Sequence, residues 1–320
     1  MQPDQDTQTL LARIAASSVP PYESLSAVAA RGFYDAGRVL LAAEPQPVAE
    51  VRELSAPGPR GPIGLRYYRP ASQAKRLPVL VYLHGGGWVL GNLNSVDSVC
   101  RALANESQHI VVSVDYRLAP EHPFPAGIED AYAALCWVTE QAQSLGGSPD
   151  QIAVGGDSAG GNFSAVLCLR ARDEQGPRIA YQLLIYPATD FQMKSESQTT
   201  FADGYLLTRA NQRWFHRHYL SGFTDLTDWR LSPAYAARFS GLPPAYVLTA
   251  QFDPLRDEGE AYALKLIRAG VPVSVWRIPG QIHGFITMGR VLPAAHHAIT
   301  AIAHALSSAK EQRADTSTTD

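Results

Sequence analysis

Ser158 sits in Gly156-Asp157-Ser158-Ala159-Gly160, directly after the apolar run Ile152-Ala153-Val154 and directly before a stretch with helical character. A serine held on a sharp strand-to-helix turn has an exposed hydroxyl, and the N–H of the next residue can bind an oxyanion. The hydroxyl is a weak nucleophile until a base takes its proton. A histidine serving as that base needs a carboxylate to fix its tautomer and stabilise the imidazolium. Both partners occur downstream. Asp253 lies in Gln251-Phe252-Asp253-Pro254-Leu255, after the run Tyr246-Val247-Leu248-Thr249, and His283 lies in Gly280-Gln281-Ile282-His283-Gly284-Phe285, after the last strand-like segment. The glycine–serine pattern alone is weak, since its three fixed positions arise by chance about once in ten chains of this length.

Each of these residues has rivals. His109, His122, His216, His218, His296, His297 and His304 lie in helical or surface-like contexts, and His84 precedes three glycines whose loop it is expected to shape. Asp257 reads as a helix start and Glu258 as a first-turn acid, which leaves Asp253 as the partner of the histidine. Asp157, the immediate neighbour of the serine on a sharp turn, should point away from the histidine and brace the loop. His84-Gly85-Gly86-Gly87-Trp88 follows the apolar run ending at Leu83. Consecutive glycines let the backbone approach a substrate and aim N–H groups at one oxygen, so Gly85, Gly86 and Ala159 are the expected oxyanion donors. Phosphate binding is disfavoured, because neither the Lys-Ser/Thr ending of a Walker loop nor GxGxxG is present.

Bringing these residues together requires a sheet. Residues 80–83, 110–114, 152–154, 183–186, 246–249 and 273–276 are strand-like apolar runs, with helical patterns near 95–107, 126–144, 160–173, 257–269 and 294–309. Gly270, followed by Val271-Pro272, suits the end of the fourth helix. Near-continuous apolar strands alternating with helices imply an α/β fold with a mostly parallel sheet covered on both faces. Residues 49–69 could add one or two antiparallel edge strands, and the catalytic domain is expected over 48–190 and 226–309. Residues 1–47 read as two helices broken at Pro20-Pro21, and 191–225 turn from polar to aromatic. The two segments are expected to form one cap over the carboxyl ends of the strands. The polar tail, 310–320, is expected to be disordered.

A chain of 320 residues suits one such domain with a lid. The net charge of −3, without a long basic stretch, argues against nucleic acid or an anionic membrane as the main partner. Cys100, Cys136 and Cys168 are scattered and odd in number, which suggests buried free thiols rather than a disulfide framework. Neither a signal pattern nor a run of about eighteen apolar residues is visible, so a soluble, cytoplasmic protein without membrane insertion is expected. His216 and His218, two apart on a helix, point to different faces and make a poor metal site.

Several motifs together carry a specific resemblance. HGGGW at 84–88, DYRLAPEHPFPA at 115–126, GDSAGGN at 156–162, Tyr186-Pro187, DPLRDEG at 253–259 and His283-Gly284-Phe285 occur in this order across roughly residues 80–290. In these the chain resembles the bacterial hormone-sensitive-lipase-like (family IV) carboxylesterases, in the subgroup marked by GDSAG. The resemblance implies an α/β-hydrolase fold: a mostly parallel central sheet of about eight strands, flanked by helices, with a helical cap built from the N-terminus and an insertion after the sixth strand. It also implies hydrolysis of short- to medium-chain acyl esters by Ser158, His283 and Asp253, with a small-molecule ester as partner and no metal or organic cofactor. A homodimer through the edge strand from Val273 to Ile278 is implied as well. Gln251 departs from the acid expected in many relatives. Pro120, Pro123 and Pro125 mark a rigid turn that braces the glycine loop.

Trp88, Tyr186, Phe201, Tyr205 and Phe285 are the expected wall of an apolar acyl pocket. An amidase or arylacetamide-type hydrolase would use the same three residues. A non-catalytic small-molecule receptor on this scaffold, of the gibberellin-receptor kind, would lack the histidine, and His283 is present.

Overall fold

The computed structural model describes residues 1–316. Helices α1 (Gln5–Ala15) and α2 (Ala27–Leu41) open the chain. The sheet is built from β1 (Glu50–Gly58), β2 (Gly61–Arg69), β3 (Leu77–Leu83), β4 (Ile110–Asp115), β5 (Gly147–Asp157), β6 (Tyr181–Ile185), β7 (Ala245–Phe252) and β8 (Val273–Ile282). Between and after them run α3 (Asp97–Ser107), α4 (Ala126–Gln141), α5 (Ala159–Asp173), α6 (Ser197–Thr200), α7 (Arg209–Leu220), α8 (Arg256–Arg268) and α9 (Ala294–Thr316). The eight strands lie in the order β1-β2-β4-β3-β5-β6-β7-β8. β2 pairs antiparallel with both β1 and β4, and every other pairing is parallel. This is the α/β-hydrolase fold, with two antiparallel strands at one edge.

Burial on both faces explains why the strands read as unbroken apolar runs. All residues of β3 are buried. Val79, Val81 and Leu83 join a cluster with Leu135 of α4 and Phe163 of α5, whereas Leu80 and Tyr82 join one with Leu103 of α3 and Ile302 of α9. Each strand therefore supplies apolar side chains in both directions, and no polar alternation survives. α8 stops where the sequence says it should. Gly270 has φ +79°, its N–H donates to Ile267 O, and the Val271 N–H reaches back to Leu266 O, which satisfies the last carbonyls of the helix.

The two irregular segments meet each other. Asn211 Nδ2 donates to Glu23 at 2.7 Å and Trp214 Nε1 to Leu25 O at 3.2 Å, joining α7 to the N-terminal segment. α1 lies apart from this contact. Its cap residue Asp4 bonds Gly280 O of β8, and Leu10 packs into the cluster on the α3 and α9 face. The tail also differs from expectation. α9 continues to Thr316, because the polar residues after Ser308 are mostly good helix formers (Ala309-Lys310-Glu311-Gln312-Arg313) rather than breakers. Residues 317–320 lie outside the described ones. Among the described residues no helix is long and apolar enough to cross a membrane.

Candidate active site

Ser158 lies between β5 and α5 with φ 57° and ψ −115°, a left-handed conformation that costs a non-glycine residue about 1–3 kcal/mol. Its neighbours explain how the turn closes. A Cβ on Gly160 would come within 1.8 Å of Leu83 O, and one on Gly156 within 2.2 Å, so only glycine lets this turn press against the end of β3. Asn162 then anchors the start of α5, donating from Nδ2 to Ala188 O and Leu231 O at 2.8 and 2.7 Å.

The loops after β7 and β8 bring the other two residues to the same edge. Ser158 Oγ is 2.8 Å from His283 Nε2, and His283 Nδ1 is 2.7 Å from Asp253 Oδ2. Asp253 is fully buried, and its Oδ1 accepts the Leu255 N–H at 2.8 Å, which fixes the carboxylate plane. The rival acids are occupied elsewhere. Asp257 accepts the Ser197 N–H and pairs with Arg256. Glu258 accepts the N–H groups of Thr189 and Asp190 and the Gln198 amide, and burial pushes its carboxyl up to about 8. His84 is built into the glycine loop as expected. It stacks on Tyr116 with ring centroids 4.3 Å apart, its Nδ1 lies 2.7 Å from Gly85 O, and burial lowers its pKa to about 4.

The glycine loop corrects one expectation. The Gly85 N–H donates to Asp157 Oδ1 at 3.0 Å, an oxygen that also accepts the Tyr82 hydroxyl at 3.0 Å. Gly85 is thereby withdrawn from the set of oxyanion donors: a carboxylate distant in sequence already holds its proton. Gly86 and Gly87 line the cavity above Ser158, and Ala159 follows the serine as the first residue of α5. Gly86 has φ +122°, and a Cβ there would lie 2.1 Å from Leu90 O, so a side chain would force the loop open. Asp157 thus braces the loop rather than touching His283, while burial pushes its own pKa up. The proline-rich stretch braces it from the other side. Ala119 N–H donates to Trp88 O, and Arg31 of α2 bonds Val89 O, Ala119 O and Glu121.

Ser158 and His283 line a cavity of about 140 Å³. Of the five expected pocket residues, only Trp88 lines it, stacked on Tyr219 at 4.8 Å. Tyr186, Phe201, Tyr205 and Phe285 do not. Tyr186 packs its ring 4.7 Å from that of His283 and 5.9 Å from Phe285, supporting the histidine, and Phe201 and Tyr205 pack on Phe252 at 5.7 and 5.5 Å. All four belong to the cluster on the α3 and α9 face or its fringe. The wall is instead made by Tyr22, Tyr34 and Arg38 from the N-terminal segment and by Leu206, Gln212, Phe215 and His216 from the insertion. Tyr34 and Arg38 sit four apart on α2 and so share a face, a spacing the sequence displays. Phe215 occupies space that Gly87 leaves open, since a Cβ there would meet its ring at 2.4 Å. His216, on α7, is half-buried: it stacks on Phe191 at 4.3 Å, and burial lowers its pKa to about 4.

A family described as alpha/beta hydrolase fold matches residues 80–287. The chain is 49% identical over 250 residues to the carboxylic ester hydrolase LipN of Mycobacterium tuberculosis, a match spanning 76% of this chain and 66% of LipN. It is 36% identical over 300 residues to an ethyl acetate hydrolase of Pseudomonas putida, spanning 91% of this chain and 93% of that one. Among solved structures, the ester-hydrolase EH1AB1 from the metagenome of Lake Arreo, complexed with a derivative of bipyridine phosphonate, superposes with a TM-score of 0.94 at 45% identity, covering 96% of this chain and 99% of that one. This chain therefore belongs to the α/β-hydrolase family, in its hormone-sensitive-lipase-like branch of carboxylesterases.

Proposed function

We propose that the protein hydrolyses short- to medium-chain acyl esters through a covalent acyl-enzyme on Ser158. The observation that carries this reading is the continuous hydrogen-bonded chain Asp253–His283–Ser158, whose serine and histidine line the cavity. His283 Nε2 takes the Oγ proton as Oγ attacks the ester carbonyl, and Asp253 stabilises the imidazolium that forms. The N–H groups of Gly86, Gly87 and Ala159 are the donors offered to the oxyanion. His283 then returns the proton to the leaving alkoxide, and a water molecule repeats the sequence on the acyl group. The cavity of about 140 Å³ resembles in size the roughly 150 Å³ engineered cavity that takes benzene, which supports a short acyl chain.

Initial rates on 4-nitrophenyl esters of two to sixteen acyl carbons test this. The expected profile peaks at about two to six carbons and falls steeply by twelve; a folded protein inactive on every ester contradicts the proposal.

A homodimer through β8 belongs to the same proposal. β8 ends the sheet, Val275 on it is 44% exposed, and Leu264 and Ile267 of the adjacent α8 are exposed too. Sedimentation velocity is expected to give twice the chain mass at micromolar concentration, and a monomer there removes this part. A cytoplasmic location is supported by the three cysteines, all free.

A further inference from the structure

Among the described residues, the cavity lining holds one carboxyl, that of Asp157, and one guanidinium, that of Arg38. Asp157 is held by Tyr82 and Gly85. Among the described residues Arg38 forms no direct ion pair, though its charge favours the ionised form of Asp157. Its Nη1 donates to Thr287 Oγ1, its guanidinium lies 5.0 Å from the centre of the Tyr34 ring, and its Nε is buried without an acceptor. Nη2 has no hydrogen-bond partner among the described residues, and a guanidinium with a free N–H takes a carboxylate oxygen in a charge-assisted bond.

Trp88 Nε1 and Gln212 Nε2 are also buried and unpartnered, and every buried unpartnered side-chain atom of the described lining is a donor. Gln212 is turned this way by its neighbours. Glu258 accepts from Gln198 Nε2, and the same nitrogen donates to Gln212 Oε1 at 2.9 Å, leaving the Gln212 amide nitrogen without a partner.

We propose that the cavity selects esters carrying a second, anionic oxygen group, a carboxylate as in the half-ester of a dicarboxylic acid, and that Arg38 is the residue that selects it. This rests on the reading that Ser158 hydrolyses esters. A purely structural Arg38, tying α2 to the loop after His283 through Thr287, acts equally on neutral and acidic esters. The ratio of the two therefore separates the roles.

Two substrate pairs place the carboxylate on either side of the scissile bond: mono-4-nitrophenyl adipate against 4-nitrophenyl hexanoate, and 4-acetoxybenzoate against its methyl ester. The wild type is expected to favour the acidic member, in kcat/KM, in at least one pair. In Arg38→Gln that acidic-to-neutral ratio is expected to fall at least tenfold, mostly through KM, and the pair that responds tells which side of the ester Arg38 reads. Arg38→Lys, which keeps the charge but not the guanidinium, is expected to lower the ratio less and serves alone if Arg38→Gln does not fold. A wild type favouring the neutral member of both pairs, or a ratio unchanged by both variants, overturns the assignment. If the wild type cleaves no ester, the proposed function fails, and calorimetric binding of adipate decides Arg38 separately: binding that is absent, or equal in wild type and variant, overturns it.

Discussion

Replacing Ser158 by alanine is expected to lower kcat on 4-nitrophenyl acetate by about 10⁵–10⁶-fold, because removing the nucleophile of a catalytic triad costs about as much as removing all three members. KM should change little. The cavity wall is contributed by the N-terminal segment, the insertion and the glycine loop, and the mutation deletes one oxygen that bonds only His283. The fold should persist as well. Alanine retains the left-handed backbone at this position, and the close fit of Gly156 and Gly160 against Leu83 that shapes the turn is untouched. Steady-state kinetics beside a melting curve check this, and a loss below about tenfold removes Ser158 from the chemistry.

Asp253→Asn should cost about 10⁴-fold in kcat while leaving the melting temperature within a few degrees. The reason lies in the second oxygen of the carboxylate. Asp253 Oδ1 accepts the Leu255 N–H, so an asparagine there keeps its own oxygen on that donor and turns its NH₂ toward His283 Nδ1. Nδ1 must then accept, the ring proton moves to Nε2, and the nitrogen facing Ser158 Oγ becomes a donor that cannot act as base. An asparagine variant within tenfold of wild type means that Asp253 does not set the histidine tautomer.

The parts of this site that were legible in the sequence are those fixed by local geometry. Ser158 announces itself because a tight turn against β3 excludes side chains at 156 and 160, and the strands announce themselves because both of their faces are buried. Asp253 and His283 are legible through their positions after strand-like runs, where a parallel sheet gathers its loops. The donor set for the oxyanion was misread by one residue: Gly85 is chemically like Gly86 and Gly87, and only the approach of Asp157 in space removes it. The pocket wall was misread more widely. Which aromatic rings face the cavity depends on the side of the insertion that packs down, so Phe201 and Tyr205 went to Phe252 while Phe215 fills the space above Gly87. Arg38 gave no signal beyond its spacing from Tyr34, because an unpaired guanidinium is recognisable only once its surroundings are known.

The central claim, that Ser158 is the nucleophile of a covalent ester hydrolysis, is tested most directly by labelling the wild-type protein with a 4-nitrophenyl alkylphosphonate and mapping the adduct by mass spectrometry. The account predicts one equivalent of 4-nitrophenolate released per active chain, loss of esterase activity in step with labelling, and a single phosphonyl group on the peptide containing Ser158. A phosphonyl group on another residue accompanying the loss of activity, or full activity after Ser158 is labelled, contradicts it.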